Sequence, residues 1–301
     1  MHKLKNKTIF IIVGPTAVGK TSFAVHLAEH LQTQIISADS RQCFKELNIG
    51  VAKPSPAELQ AVHHFFISSH SIFDEMNAAL FGQLSEHWAT EIFQQRSAAV
   101  MVGGTGLYVK AFCEGLDEMP AVDMTLRKKI QEQFKEHGIA WLQEEIKIND
   151  PGYYRSGETC NPQRMMRALE IKMSTGKSIL TFQSRQKKQL PFNIKKIGLH
   201  LPKDQLHQTI SQRVDYMMEK GLLDEAKKLH TYKNINALQT VGYTELFDFL
   251  ENKISLDEAI AEVKKHTRQY AKRQMTWFSK DESIEWIAPS DFVKLKKITE
   301  S

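Results

Sequence analysis

The 301-residue chain is poor in cysteine and lacks the spacings that make cysteine structural. Cys43, Cys113 and Cys160 are far apart, odd in number, and form no CxxC pair. That excludes a disulfide-stapled fold and a thiolate zinc site. It leaves free thiols, expected to be buried or partly buried, which suit a reducing cytoplasm. Long apolar runs are missing too, so no membrane-spanning helix is expected. The basic opening leads into an apolar run, Ile9 to Val13, that is too short for the core of a signal peptide. No internal repeat or low-complexity tract is apparent. Charge of one sign is in slight excess only. There are 40 Lys and Arg against 35 Asp and Glu, a net +5, which alone argues weakly for a polyanionic partner. With 42% hydrophobic and 25% charged residues, the composition is that of a folded protein, not a disordered one.

What is present is an alternation of short apolar runs and helical periodicity. Ile9 to Val13 reads as a buried parallel strand. Thr21 to Leu31 has helical spacing, with Phe23, Leu27 and Leu31 on one face. Ile35 and Ile36 begin a second strand that ends at Asp39, and Ala98 to Val102 form a third that runs into Gly103 and Gly104. Such alternation predicts a parallel sheet with helices on both faces. From about Met119 strand-like runs vanish, and Leu126, Ile130 and Phe134, then Met165, Met166, Leu169 and Ile171, recur at helical spacing. A late strand is expected over Ile194 to Leu201, followed by helices with a stop at Gly221. The expected fold class is α/β, a P-loop NTPase-like parallel-sheet core with a helical insertion domain and C-terminal helices. Residues 1–118 would begin the core, 119–193 form the insertion, and 194–301 complete the core.

Gly14, Pro15, Thr16, Ala17, Val18, Gly19, Lys20 and Thr21 match the pattern G-x-x-x-x-G-K-[ST] in full. They follow a predicted strand and open a predicted helix, the context the motif requires. Backbone N–H groups of such a loop cradle phosphate, and the helix N-terminus adds roughly half a positive charge. Lys20 supplies a point charge, and the Thr21 hydroxyl is placed for Mg²⁺. The motif specifies a polyphosphate, not ATP. A nucleotide hydrolase usually carries an acid after a second apolar strand, to help hold the metal. Here Gly103, Gly104, Thr105 and Gly106 follow Val102 instead.

Asp39 stands at a strand end beside the phosphate loop, where open α/β sheets bind ligands. It is either a ligand-facing acid or a helix N-cap. The GGTG segment is either a ligand loop or a plain turn. On a helix around Val263 to Phe278, Lys264, Lys265, Arg268 and Lys272 share an arc of roughly 100°. Val263, Tyr270 and Trp277 fall on the other side and should pack on the core. The basic face is either solvated or RNA-binding. His63 and His64 have no apparent third ligand and are expected to be structural.

In order, the chain carries GPTAVGKT, ISADSRQ, NIGVAKP from Asn48 to Pro54, VGGTGLY, NPQRMMRALE, TVGYTE and TRQYAKRQMTWF. This series resembles the bacterial tRNA dimethylallyltransferase family, and the resemblance covers nearly the whole chain. It implies transfer of a dimethylallyl group from dimethylallyl diphosphate to N6 of the adenosine 3′-adjacent to the anticodon, with Mg²⁺. It further implies a tRNA anticodon stem-loop as partner, a cytoplasmic location and a monomer.

By the same resemblance Gly14 to Thr21 hold the donor diphosphate, with Thr21 on the metal. Asp39 is the base, while Thr105 and Arg213 serve the reacting centre. Asp39, Ser40, Arg41, Gln42, Thr105 and Arg127 would meet tRNA. So would Asn161, Pro162, Gln163, Arg164 and Met165, and the run Thr240, Val241, Gly242, Tyr243, Thr244 and Glu245. The last such segment is Lys272, Arg273, Gln274, Met275, Thr276, Trp277, Phe278 and Ser279. Cys43 and Phe44 stand where the family often has an apolar residue and Tyr. A zinc-finger extension like that of eukaryotic relatives is missing after Trp286, which implies the bacterial type. A P-loop small-molecule or nucleotide kinase using ATP shares the loop and Asp39 but leaves NPQR and KRQMTWF unexplained. A non-catalytic RNA-binding module leaves the loop unexplained.

Overall fold

β-Branched runs with no polar face must be covered on both sides, and here they line up as one sheet. In the computed structural model, which describes residues 7–184 and 186–300, the strands are β1 (Thr8–Val13), β2 (Ile35–Ser37), β3 (His64–Phe65), β4 (Ala98–Val102), β5 (Asn193–Leu199) and β6 (Ile284–Ile287). All pairings are parallel, in the order β3-β2-β4-β1-β5-β6. β1 is central and buried along its whole length. Its side chains alternate between two layers, as the period of a strand requires. Ile9 and Ile11 join one core cluster, and Phe10 and Ile12 join the other.

Helices lie between these strands along the chain and after them. α1 (Lys20–His30), α2 (Pro56–Ala61), α3 (Ala78–Gln95) and α4 (Gly106–Glu114) come first. α5 (Met124–Asn149), α6 (Pro151–Ser156) and α7 (Pro162–Thr175) follow. After β5 come α8 (Lys203–Glu219), α9 (Leu222–Leu229), α10 (Tyr243–Leu250), α11 (Leu256–Phe278) and α12 (Phe292–Glu300). The expected strands are present. β3 and β6 were not anticipated, because runs of two and four residues carry no readable period.

The chain divides into two compact units. One is built from residues up to Gly115 and from Gln189 onward, and holds the sheet. The other, Leu116–Lys188, contains α5, α6 and α7 and has its own core of Ile130, Leu142, Ile146, Tyr153, Met165 and Leu169. Within it Gly138, at φ 73°, breaks the helical path of α5. The cysteines are free, with Cys43 buried and Cys113 half-buried. Cys160 is exposed, against the expectation of partial burial, because it lies in the turn just before α7. Among the described residues no helix is long and apolar enough to cross a membrane.

Candidate active site

The phosphate loop leaves β1 through a glycine that nothing else replaces. Gly14 sits at φ 138°, and a Cβ there would lie 2.5 Å from the Leu199 carbonyl oxygen of β5. Ala17 and Val18 turn into the core and fix the loop from beneath. α1 then begins at Lys20 without a side-chain cap and without an acid in its first turn, so its N–H groups are left for an anion. The Lys20 ammonium donates to the Pro15 carbonyl at 2.7 Å. Burial, helped by the neighbouring Arg213 charge and partly offset by Asp39, brings the Lys20 pKa down to about 7. Arg213, on α8, donates from Nη1 to the Thr16 hydroxyl at 3.4 Å. Two cations therefore meet in one polar chamber, lined also by Thr21, Ser37, Asp39 and His64.

Asp39 follows β2 and caps a turn, not a helix. Its Oδ1 accepts from the Arg41 N–H at 2.9 Å and the Gln42 N–H at 3.3 Å. Among the described residues its Oδ2 takes no hydrogen bond. Ser40 is held by the Thr105 hydroxyl, which accepts from the Ser40 N–H at 3.1 Å. The Arg41 side chain reaches Asn236 Oδ1 at 3.4 Å. Gln42 donates to the Val51 and Ala52 carbonyls at 3.2 and 3.0 Å, so it braces a wall of the site. The GGTG segment joins β4 to α4, and Gly103 packs directly against the Ala38 carbonyl, which leaves no room for a Cβ.

A second, largely apolar chamber adjoins the first. Thr16, Asp39, Val51, Ala52 and Arg213 line both. Val214, Met217, Val241, Val263 and Tyr270 form its walls, with Thr240 and Gly242 at its edge. Burial together with the Asp39 charge pushes the Tyr270 phenol up to about 12.

The two wall loops are tied by Glu225, at the start of α9. Its carboxylate accepts from the N–H groups of Asn48, Ile49 and Gly50 at 3.2, 3.0 and 3.0 Å, and from the Tyr243 hydroxyl at 2.6 Å. Glu245 is buried and engaged with Gly242 N–H, the Thr244 hydroxyl and His266. Tyr243 and Glu245 thus hold the 240–242 loop from inside. Tyr270, Glu225 and the apolar walls were missed in the sequence. Tyr270 was legible only as one more buried position of α11, and Glu225 is brought to its partners by the fold alone.

His64 lies on β3 and is buried. Its Nδ1 is 2.8 Å from the Val62 carbonyl oxygen, and among the described residues its Nε2 has no hydrogen-bond partner. Burial lowers its pKa, so the ring is neutral. His63 is exposed, edge-on to Phe65.

α11 presents Lys272, Arg273, Thr276 and Trp277 outward, with Ser279 just beyond its end, while Phe278 and Gln274 point in. Trp277 does not pack in the core as its spacing predicted. It is 38% exposed and lies against Gly106 at the start of α4. The expected basic face is only partly free, since Lys264 pairs with Asp215 and Lys265 with Glu262.

In the smaller unit Arg127 donates to Glu170 from Nε and Nη2, each at 3.2 Å, and Arg167 joins the same carboxylate. Asn161 caps α7 by accepting from the Arg164 N–H, Pro162 fills the first helical position, and Met165 is fully buried. Gln163 and Arg164 are exposed, Arg164 beside Glu158.

A family model described as IPP transferase matches residues 42–281 of the chain. The tRNA dimethylallyltransferase of Christiangramia forsetii is 46% identical over 275 residues, 91% of each chain. Among solved structures, the tRNA isopentenylpyrophosphate transferase of Bacillus halodurans superposes with a TM-score of 0.70 at 36% identity, covering 98% of this chain and 94% of that one. A eukaryotic dimethylallyltransferase acting on tRNA superposes with a TM-score of 0.77 at 25% identity, covering 96% and 76%.

Proposed function

This chain belongs to the IPP transferase family of tRNA dimethylallyltransferases, and from that premise we propose that it moves a dimethylallyl group from dimethylallyl diphosphate to N6 of the adenosine 3′ to the anticodon. The observation that carries the reading is the pair of adjoining chambers. One is polar, with Lys20 and Arg213, and the other is apolar, with Asp39 lining both.

The donor diphosphate occupies the polar chamber, where the loop N–H groups, Lys20 and Arg213 oppose charge building on the leaving group. Electrostatic stabilisation of this kind usually contributes more to catalysis than any other single effect. The five-carbon chain lies toward Val51, Val214 and Met217. The allylic carbon–oxygen bond breaks with its electron pair leaving on diphosphate, and the N6 lone pair forms the new carbon–nitrogen bond. N6 then sheds a proton to Asp39 Oδ2. Before the bond forms N6 is a poor acid, so a carboxylate suffices as base because the proton becomes acidic only as the bond forms. The base must leave its stack to reach this pocket, and the outward face of α11 supplies a grip on the backbone.

Mg²⁺ fits the Thr21 hydroxyl, an oxygen donor that lines the polar chamber. Among the described residues no group of three His, Cys, Asp or Glu is arranged for a metal. That accords with an ion held mainly by substrate phosphates. When bound, it adds positive charge to the diphosphate. The free thiols suit a reducing cytoplasm.

A kinase reading is disfavoured, since Gly103 to Gly106 stand where an acid would organise γ-phosphoryl transfer. Incubation of tRNA with the protein, dimethylallyl diphosphate and Mg²⁺ should yield one adenosine heavier by one five-carbon unit, together with free diphosphate. ATP should give no phosphorylated RNA. ATP consumption with a phosphorylated product and an inert allylic donor would replace the transferase reading with a kinase.

A further inference from the structure

Gln274 lies on α11 between the exposed Arg273 and the half-buried Met275, in a run whose resemblance points to RNA. Its side chain does not face out, for the residue is only 6% exposed. Its Oε1 accepts from the Thr16 N–H at 2.7 Å, and its Nε2 donates to the Gly104 carbonyl at 3.0 Å. The oxygen meets a donor and the nitrogen meets an acceptor, so the amide has one satisfied orientation. Gly104 makes room for the amide, since a Cβ there would displace Gln274 Nε2. That Cβ point is 3.7 Å from Lys20 Nζ, which puts the amide next to the catalytic lysine.

Thr16 N–H and Gly104 C=O belong to the two glycine loops, one after β1 and one after β4. Neither loop has a regular ladder to hold it at this point. The Thr16 hydroxyl also receives Arg213, so a shift of Thr16 moves the arginine as well. A buried backbone group left without a partner is destabilising, and a single amide satisfies both. We infer, on the transferase reading above, that Gln274 is a positioning residue for the diphosphate half of the site. It sets the spacing of the two glycine loops and holds Thr16 where Arg213 meets it. It serves the donor, not the RNA.

The test separates the two substrates. Gln274→Met keeps length and loses both hydrogen bonds. Its Kd for inorganic diphosphate with Mg²⁺, by calorimetry, should rise about tenfold or more, as should KM for the allylic donor. Its tRNA affinity and the salt dependence of that affinity should stay within about twofold of wild type, roughly 0.4 kcal/mol. Lys272→Ala, two residues away and exposed, should show the reverse pattern. Circular dichroism and thermal melting establish that Gln274→Met is folded. Should it not fold, Gln274→Asn, one methylene short, carries the same expectation. A folded variant with unchanged diphosphate binding, or with loss confined to tRNA, overturns the inference. If wild type transfers nothing to tRNA while diphosphate binding still depends on Gln274, the proposed activity fails and this role stands.

Discussion

Lys20 is a cation held where a cation is unwelcome until its ligand arrives. Burial and the Arg213 charge bring its pKa to about 7. An anionic diphosphate favours the ammonium and raises that pKa, so binding near or above neutral pH takes up a proton. Affinity should therefore fall as pH rises through about 7, by as much as about tenfold per unit from this group. Lys20→Arg stays protonated throughout. Calorimetry with inorganic diphosphate across a pH series should show a steeper decline for wild type than for Lys20→Arg. Parallel curves would mean that Lys20 is charged before the ligand comes. Asp39 invites a simpler substitution. Asp39→Asn keeps the turn that Oδ1 caps but accepts no proton, so kcat should drop by at least about 10²-fold while tRNA affinity changes little. Single-turnover rates near wild type would remove Asp39 from the base's role. The loop residues were legible because eight adjacent positions do one job. Glu225 was not, and Gln274 was legible only as part of a tRNA-contacting run, because each acts on backbone groups that are remote in sequence and near only in the fold.

Among the elements, α11 does two things on two faces. Inward it braces loops through Gln274 and lines the apolar chamber through Val263 and Tyr270. Outward it offers Arg268, half-buried, and the exposed Lys272, one turn apart. Replacing both with Ala should weaken tRNA binding and flatten the plot of log K against log salt by roughly 0.7–0.9 for each phosphate that is no longer neutralised. An unchanged slope would mean that these charges only face solvent. Lys264 and Lys265 share the predicted arc but already have carboxylate partners. Periodicity reads which side of a helix a residue is on, not what meets it there. Trp277 shows the same limit, for its spacing placed it inward, yet it lies over Gly106 with part of its ring in solvent.

For the molecule as a whole, order along the chain and order across the sheet differ. The early strands and the change of texture past Met119 were readable from their patterns. β3 and β6 were not, since a pairing partner and not a period makes them strands. β1 pairs with β4 on one side and with β5 on the other. During synthesis at roughly 5–20 residues per second, the interval between Thr8 and Asn193 is on the order of 10–40 s. For that time the most β-prone, uncharged segment of the chain, TIFIIV, has one edge without its partner. The ribosome must deliver the whole helical unit before the phosphate loop gains the Leu199 carbonyl against which Gly14 rests. The first residues made are thus among the last to reach their final surroundings, and a chain released early exposes a bare, aggregation-prone strand edge.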